Sequence, residues 1–287
     1  MNPHTNKRPR RLSSALGIGA GCFLTAMAMQ ANAASSYLQS FESDTANWTD
    51  NVSSLGSGYG TITRVASGTN GITSPDGGFH ALLTGIASGP STIGPVTNFG
   101  GYSSVWPGDF VSEVSVYIDP AQMGADGGFD YSLAINGQNG NHRRDFAFLV
   151  TNDASEGSVL LNVGFGSALS PNTDLELMPD TATLSAVGWY TLRSTFVDDG
   201  GILSVQMDVL DPNNITIFTS TLSDPTDDIA TIVGGNRYGW FAALDMTSPL
   251  AVDNVNVTLL PIPEPTAAAL AFAGVAMIGF RRRRSAI

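Results

Sequence analysis

The sequence predicts an all-β protein built as an antiparallel β-sandwich, and two observations carry that prediction. Between residues 34 and 260, apolar residues fall in short runs rich in β-branched and aromatic side chains, separated by clusters of Gly, Asn, Asp and Pro. The same stretch lacks the sustained 3.6-residue apolar repeat of an amphipathic helix. No internal repeat or linker divides it, so we expect one domain over residues 34–260.

Individual strands follow from alternation and from the turn residues between runs. Apolar and polar residues alternate from Glu113 to Ile118, as in a strand with one buried face. Asp198–Gly201 and Asp211–Asn214 hold turn-forming residues between neighbouring runs and predict hairpins. The predicted strands are Gly60–Val65, Phe79–Thr84, Phe110–Ile118, Phe129–Ile135, Asp145–Thr151, Ser158–Phe165, Trp189–Val197, Ile202–Leu210, Ile215–Leu222, Gly239–Leu244 and Leu250–Leu259.

The N-terminus has the three parts of a secretory signal peptide in the usual order. Four of residues 7–11 are basic, Leu12–Met29 is an apolar stretch, and Ala31 and Ala33 form a small-residue cleavage motif. We therefore expect residues 1–33 to be a signal peptide that signal peptidase removes. A lipidated Cys22 is the alternative, although the sequence before it does not have the leucine of a lipobox.

The C-terminus, residues 261–287, also has three parts. Pro263, Glu264 and Pro265 lie in a proline-rich segment that cannot be helical, and an uncharged apolar run follows over 266–280. A helix of this length rises about 22 Å, short of the roughly 30 Å hydrocarbon core of a bilayer, so it would be a marginal anchor. The arginine cluster comes last and favours a cytoplasmic end; it consists of Arg281, Arg282, Arg283 and Arg284. A buried core helix with a basic tail is the alternative.

This tail resembles the PEP-CTERM sorting signal, which is also labelled an ice-binding-protein C-terminal domain. The resemblance covers Pro263–Pro265, the apolar helix and the arginines, in that order. It implies an exported bacterial protein that is anchored in the inner membrane and then handed to an exosortase-type membrane protease. The expected destination is the cell surface or the extracellular matrix, where exopolysaccharide is a candidate partner.

The charge balance excludes nucleic acid as a partner. Four of the 13 Lys and Arg residues lie at 7–11 and four at 281–284, whereas all 25 Asp and Glu residues lie between those clusters. The exported part therefore has five arginines, no lysine and a net charge near −20. Such a surface repels nucleic acid and anionic lipid and attracts divalent cations. The only cysteine is in the signal peptide, so no disulfide is expected.

Three segments of the predicted domain resemble concanavalin A-like or carbohydrate-binding jelly rolls. They are Phe41-Glu42 followed by Trp48, the pair Gly188–Leu192 and Asp198–Leu203, and the closing Ala251–Val255. The resemblance implies a jelly-roll sandwich in which Glu42 and Asp253 hold a structural calcium ion. Oxygen ligands and excess acid suit calcium. Alternatively, the two carboxylates only flank turns or cap strands.

The sequence predicts no catalytic residue, so we expect a protein that is not an enzyme. Asp174 and Glu176 could share one strand face, but with Asp180 they lack the pattern of laminarinase-type hydrolases. The exported part has two histidines, no cysteine and no Gly-x-Ser-x-Gly motif. A non-catalytic structural or glycan-binding protein is the favoured interpretation, and a secreted glycan-active hydrolase is the alternative.

Two further features could contact a glycan. A sugar ring could stack on one of the four tryptophans of the domain, Trp48, Trp106, Trp189 and Trp240, although core packing is the usual fate of tryptophan. Trp106 is the favoured one because its sequence is typical of a loop. His142–Asp145 is the only basic cluster in the acidic domain and could bind an anionic sugar. We expect instead that Arg143 or Arg144 pairs with Asp145.

Overall fold

Two packed antiparallel sheets make up the computed structural model, which describes residues 37–49, 59–88, 91–155, 157–166 and 181–261. The strands are β1 (Tyr37–Gln39), β2 (Trp48–Thr49), β3 (Thr61–Ala66), β4 (Phe79–Thr84), β5 (Ile86–Ser88), β6 (Ser91–Thr97), β7 (Phe110–Ile118), β8 (Gly128–Gly137), β9 (His142–Asp153), β10 (Ser158–Gly166), β11 (Ala182–Leu184), β12 (Gly188–Asp199), β13 (Ile202–Leu210), β14 (Thr216–Asp228), β15 (Val233–Asp245) and β16 (Leu250–Leu259). A short helix, α1 (Pro120–Met123), and a 3₁₀ turn (Thr69–Gly71) complete the described elements.

The strands divide into two sheets of eight. Sheet 1 has the order β14-β13-β12-β7-β16-β4-β3, and β1 also pairs with β16. Sheet 2 has the order β11-β10-β9-β8-β15-β6-β2, and β5 also pairs with β6. Every pairing in the two sheets is antiparallel. The predicted antiparallel β-sandwich is therefore confirmed.

Each strand predicted from the sequence is found, and four of them (β4, β7, β13 and β16) have the predicted bounds. Five short or irregular strands were not predicted: β1, β2, β5, β6 and β11. Of these, β6 contains Gly94 and Pro95, which normally mark the end of a strand. Glycine is required at position 94 because the backbone of β15 approaches so closely that a Cβ there would lie 2.7 Å from Phe241 O.

The core lies between the inner faces of the sheets and is rich in aromatic rings. Phe196 of sheet 1 stacks on Phe110 at a centroid distance of 4.5 Å and meets Phe146 of sheet 2 edge-on at 5.6 Å. All three side chains are at most 2% exposed. Such burial is the main stabilising contribution in a domain with no disulfide.

The two ends of the sandwich differ in what they carry. At one end, the Leu260 N–H donates to Asp109 O at 2.8 Å, so the chain leaves beside the loop 98–109. We call this the exit end. The turn 211–215 lies at the opposite end of β12, where Gly188 pairs with Ile118, and we call this the far end.

Several sequence predictions fall outside the described residues. They concern the signal cleavage residues Ala31 and Ala33, the acidic segment with Asp174, Glu176 and Asp180, the motif Pro263-Glu264-Pro265, and the cluster Arg281–Arg284. Within the described ranges, no helix combines the length and the apolar character needed to cross a bilayer.

Candidate functional site

A groove of about 680 Å³ lies on the outer face of sheet 1. It crosses β12, β7 and β16, and loops at the far end of the sandwich form part of its wall. The residues that line it are Leu38, Pro75, Asp76, Glu113, Ser115, Gly188, Trp189, Thr191, Arg193, Leu210, Pro212, Asn214, Asn254 and Asn256. Polar and charged side chains dominate this set, and Trp189 is its only aromatic member.

Strand alternation places the groove residues. In β12, Trp189, Thr191 and Arg193 line the groove, whereas Tyr190 and Leu192 between them are buried in the core. Strands β7 and β16 contribute their outward residues in the same way. Because successive side chains of a strand point to opposite faces, one set of residues builds the core and the other builds the groove.

A hydrogen-bonded ion pair orders the polar part of the groove. Arg193 Nε donates to Glu113 Oε1 at 2.5 Å, and Asn256 Nδ2 donates to Glu113 Oε2 at 3.2 Å. The side chains of Arg193 and Glu113 are 34% and 25% exposed, so they remain accessible. A partly exposed pair of this kind adds little to stability. Its effect is to hold the guanidinium and the amide in fixed positions, ready to bond a polar ligand.

Trp189 is held at the other part of the groove. Its Nε1 donates to Thr73 O at 2.7 Å, and its ring meets His80 and Tyr117 edge-on at centroid distances of 5.8 and 5.5 Å. The ring is half-buried. A fixed, partly exposed indole in a polar groove provides a surface on which an apolar ligand face can pack.

Asp253 lies beside the groove at an interruption in sheet 1. Strand β16 pairs with β4 as far as Val252 and with β1 from Val255 onward. Between these two pairings lies Asp253–Asn254, where the register against β7 also shifts. Asn254 has a left-handed backbone, with φ at +48°, and its side chain lines the groove. This β-bulge brings a carboxylate to the place where one edge of β16 changes partner.

Among the described residues, only one of the two oxygens of the Asp253 carboxylate has a hydrogen-bond partner. The side chain has no exposed surface, Oδ1 accepts from Asn254 N at 2.8 Å, and Oδ2 has no hydrogen-bond partner among the described residues. Burial is the main cause that raises the pKa of Asp253 to about 7; the bond from Asn254 lowers it, and the negative charges of Glu42 and Asp76 add to the rise. A buried carboxylate beside two others and with a free oxygen favours either a proton or a cation.

Glu42 and Asp253, the two residues predicted to hold calcium, therefore interact electrostatically. Unlike Asp253, Glu42 has its carboxylate hydrogen-bonded to backbone N–H groups of another segment. Glu42 Oε1 accepts from the N–H groups of Gly78 and Phe79, each at 3.0 Å. Arg64 donates to the carbonyl oxygens of Phe41, at 2.6 Å, and Glu42. No group of three or more His, Cys, Asp or Glu side chains able to hold a metal occurs in the described ranges. The unsatisfied Asp253 oxygen fits a cation, and the calcium site stays a prediction.

Trp106 does not line the groove. It lies in the loop 98–109 at the exit end, half-buried, with its ring 5.5 Å from that of Phe110 and packed against the core. Its predicted contact with a glycan stays a prediction.

The basic cluster pairs differently from the sequence prediction. Arg143 donates to Asp227 at 2.7 Å, and Arg144 bonds both Asp227 and Asp224. The expected pairing of either arginine with Asp145 is therefore wrong, since the Asp145 carboxylate lies 3.0 Å from His142 Nε2 instead. Because β9 and β14 belong to different sheets, the two arginines join the sheets at one edge. The prediction chose Asp145 because it is the nearest acid in the sequence. In the fold, the partner is instead Asp227, whose side chain is only 1% exposed.

Apart from Trp189, one of the four tryptophans considered for sugar stacking, the groove residues were not singled out from the sequence. Alternation in β7 shows that Glu113 faces outward, and a similar pattern in β12 shows it for Arg193. The sequence gives no signal that the two would meet across neighbouring strands, since that depends on the pairing of Arg193 with Glu113.

No family model matches the chain, and no curated protein does either. Solved structures that match it include the CBM2 module of the evolved Dit of Lactobacillus casei BL23 phage J-1, with 13% identity and a TM-score of 0.42, covering 79% of this chain and 98% of that one. Lectin II from Ulex europaeus matches with 13% identity and a TM-score of 0.40 over 79% and 99% of the two chains. The exoplasmic/lumenal domain of VIP36 in its Ca2+/Man2-bound form matches with 13% identity and a TM-score of 0.40 over 78% and 91%. A likeness at this level assigns no family, ligand or metal to the chain.

Proposed function

We propose that this chain is an exported, non-catalytic β-sandwich protein that binds a neutral glycan in the groove on sheet 1. The observation that carries the proposal is the composition of that groove. It combines a half-buried indole, Trp189, with hydrogen-bonding groups that are already ordered, at Arg193, Glu113 and Asn256. A sugar ring presents both an apolar face and a rim of hydroxyl groups, and the groove offers a partner for each.

Charge favours a neutral ligand over an anionic one. In the groove, Arg193 is already paired with Glu113, and Asp76 adds a further negative charge. The exported part as a whole has a net charge near −20. An acidic polysaccharide would be repelled by this field, whereas a neutral one would not.

We also propose a calcium ion at Asp253, with Glu42 as the second side-chain ligand. The support is the buried Asp253 oxygen that lacks a hydrogen-bond partner beside two further carboxylates. A divalent cation, when bound, supplies positive charge that lowers the repulsion within this cluster. It would also join the turn after β1 to β16 at the interruption in sheet 1.

The location and processing of the protein belong to the same proposal. Removal of residues 1–33 accompanies export, and the apolar run 266–280 then anchors the chain in the inner membrane. An exosortase-type protease recognises the segment around Pro263-Glu264-Pro265 and transfers the protein to the cell surface or matrix. The support is the order of these segments in the sequence.

A glycan array with the purified full-length protein tests the proposed activity. We expect binding to neutral oligosaccharides and no release of reducing ends from any glycan that binds. Turnover of a bound glycan would show that the protein is a hydrolase. Binding confined to uronic-acid-containing glycans would contradict the charge argument, and a lack of binding to every glycan would leave a purely structural protein and refute the proposal.

A further inference from the structure

A cluster of exposed apolar side chains lies at the exit end of the sandwich. Tyr102 is 56% exposed, Val105 is 71% exposed and Ile232 is 40% exposed. The first two lie in the loop 98–109, and Ile232 lies in the turn that precedes β15. We call these three residues the exit-end patch. Exposed apolar side chains that lie together, unlike those scattered singly, mark surfaces that contact a protein, a ligand or a membrane.

Hydrogen bonds hold the loop of the patch against sheet 2. Ser103 N donates to Asn236 O at 2.9 Å, and Gly235 N donates to Ser103 O at 3.2 Å. Ser103 Oγ donates to Val105 O at 2.8 Å, and Asn136 Nδ2 donates to Ser103 O at 2.8 Å. The patch is therefore displayed by an ordered loop.

The patch has the amphipathic character of residues found at a membrane interface. The Arg237 guanidinium lies 4.9 Å from the centre of the Tyr102 ring, so an aromatic ring and a cation lie together. Trp106 follows Val105 directly and is half-buried. Tyrosine, tryptophan and arginine are the side chains that tolerate the boundary between lipid headgroups and acyl chains.

The position at which the chain leaves the domain favours a lipid bilayer as the partner of the patch. The Leu260 N–H is bonded to Asp109 O, only four residues from Val105. The proline-rich segment Pro261–Pro265 separates this point from the predicted membrane anchor, and five residues in an extended proline-rich conformation span only about 15 Å. The exit end must therefore remain close to the bilayer while the anchor is in place.

We propose that the exit-end patch rests on the lipid interface while the protein is anchored, which orients the sandwich with its far end, and the part of the groove that reaches this end, away from the membrane. This inference rests on the membrane anchoring proposed above. The partner is a zwitterionic bilayer surface, because the acidic domain is repelled by anionic headgroups. Gly188, Pro212 and Asn214 of the groove lie at the far end, so this end of the groove is held away from the membrane, on the side of extracellular glycans.

Depth-dependent quenching of tryptophan fluorescence tests this orientation. The full-length protein is incorporated into phosphatidylcholine vesicles that contain a lipid with a nitroxide near the headgroup. The signal of Trp106 is obtained as the difference between the wild type and Trp106→Phe. We expect Trp106 to be quenched, and the quenching to be lost in the double variant Tyr102→Ser/Val105→Ser and reduced when phosphatidylglycerol replaces part of the phosphatidylcholine.

The double variant Ile215→Ser/Ile217→Ser is the matched control. These residues are 59% and 39% exposed and belong to the turn and strand at the far end, so their replacement should leave Trp106 quenching unchanged. Vesicle flotation separates the two proposals. Protein that floats without quenching of Trp106, or with quenching that the patch variant retains, overturns the contact alone. Protein that does not float overturns the membrane anchor and the contact together.

Discussion

Replacing Asp253 with Asn should stabilise the cation-free protein at neutral pH. The wild-type carboxylate is buried next to the charges of Glu42 and Asp76, and its Oδ2 has no hydrogen-bond partner among the described residues. An asparagine at this position keeps a carbonyl oxygen that can accept the Asn254 N–H. It also removes a negative charge from a place where no cation balances it when calcium is absent.

The sign follows from the direction of the pKa shift. Burial raises the pKa of Asp253 from 3.8 to about 7, so the folded protein binds this proton more tightly than the unfolded chain does. The contribution of Asp253 to stability is therefore greatest below its unfolded pKa and falls as the pH rises to about 7. At 1.36 kcal/mol for each pKa unit, the loss is at most about 4 kcal/mol. In a domain of this size it corresponds to a difference of roughly 8–16 °C in melting temperature.

Thermal unfolding in EDTA at pH values from 4 to 8 provides the assay. We expect the wild type and Asp253→Asn to have the same melting temperature near pH 4. As the pH rises to 8, the melting temperature of the variant should exceed that of the wild type by an increasing amount. Calcium should then raise the melting temperature of the wild type at pH 8 and leave the variant unchanged, since a ligand stabilises only the state that binds it.

Asp130→Asn is the matched control. Burial also raises the pKa of Asp130 to about 7, but Asp130 lies on β8 in sheet 2, away from the acidic cluster. The melting temperature of Asp130→Asn should also exceed that of the wild type increasingly as the pH rises. Unlike Asp253→Asn, this variant should still be stabilised by calcium, as the wild type is. Parallel pH curves for the wild type and Asp253→Asn would refute the argument about the buried charge, and an equal calcium response in both would remove the metal from Asp253.

Three further predictions concern stability and processing. Gly77→Ala should destabilise the protein by about 1–3 kcal/mol in urea unfolding, because Gly77 has a φ of +64° and a Cβ there would overlap the Glu42 carboxylate. Gly140→Ala, with a φ of +77° and open space, should cost less, and equal losses would exclude the steric argument. Asp227→Asn should cost about 3–5 kcal/mol in the same assay because it breaks a buried ion pair, and a loss below 1 kcal/mol would contradict that. Intact-mass measurement of the surface protein should show residues 281–284 removed, and their retention in all mature protein would leave a simple membrane anchor.

Much of the fold could be predicted because its strands have a local signature. Alternating runs bounded by turn residues, such as Phe110–Ile118 and Ile202–Leu210, have the predicted bounds. Strand β6 was missed because Gly94 and Pro95 normally mark the end of a strand, and only the close approach of β15 explains the glycine. Strand β1 was missed because three residues are too few for alternation to show.

The candidate site was less predictable because it depends on tertiary pairing. Glu42 and Asp253 were singled out by their resemblance to a known pattern, and the structure places their charges close together. Asp76, the third member of the cluster, arrives on the loop before β4, which no local pattern connects to Asp253. Trp189 was one of four tryptophans considered for sugar stacking, but only the groove shows that its ring is partly accessible.

Glycan affinity at the groove tests the central claim most directly. For a neutral oligosaccharide found on the array, titration calorimetry should give a dissociation constant about tenfold or more weaker for Trp189→Ala than for the wild type, as expected for loss of an aromatic packing surface. Trp106→Ala, which alters a half-buried ring at the opposite end, should bind as the wild type does. An unchanged dissociation constant in Trp189→Ala, or a loss of binding in Trp106→Ala alone, would contradict the assignment of the groove.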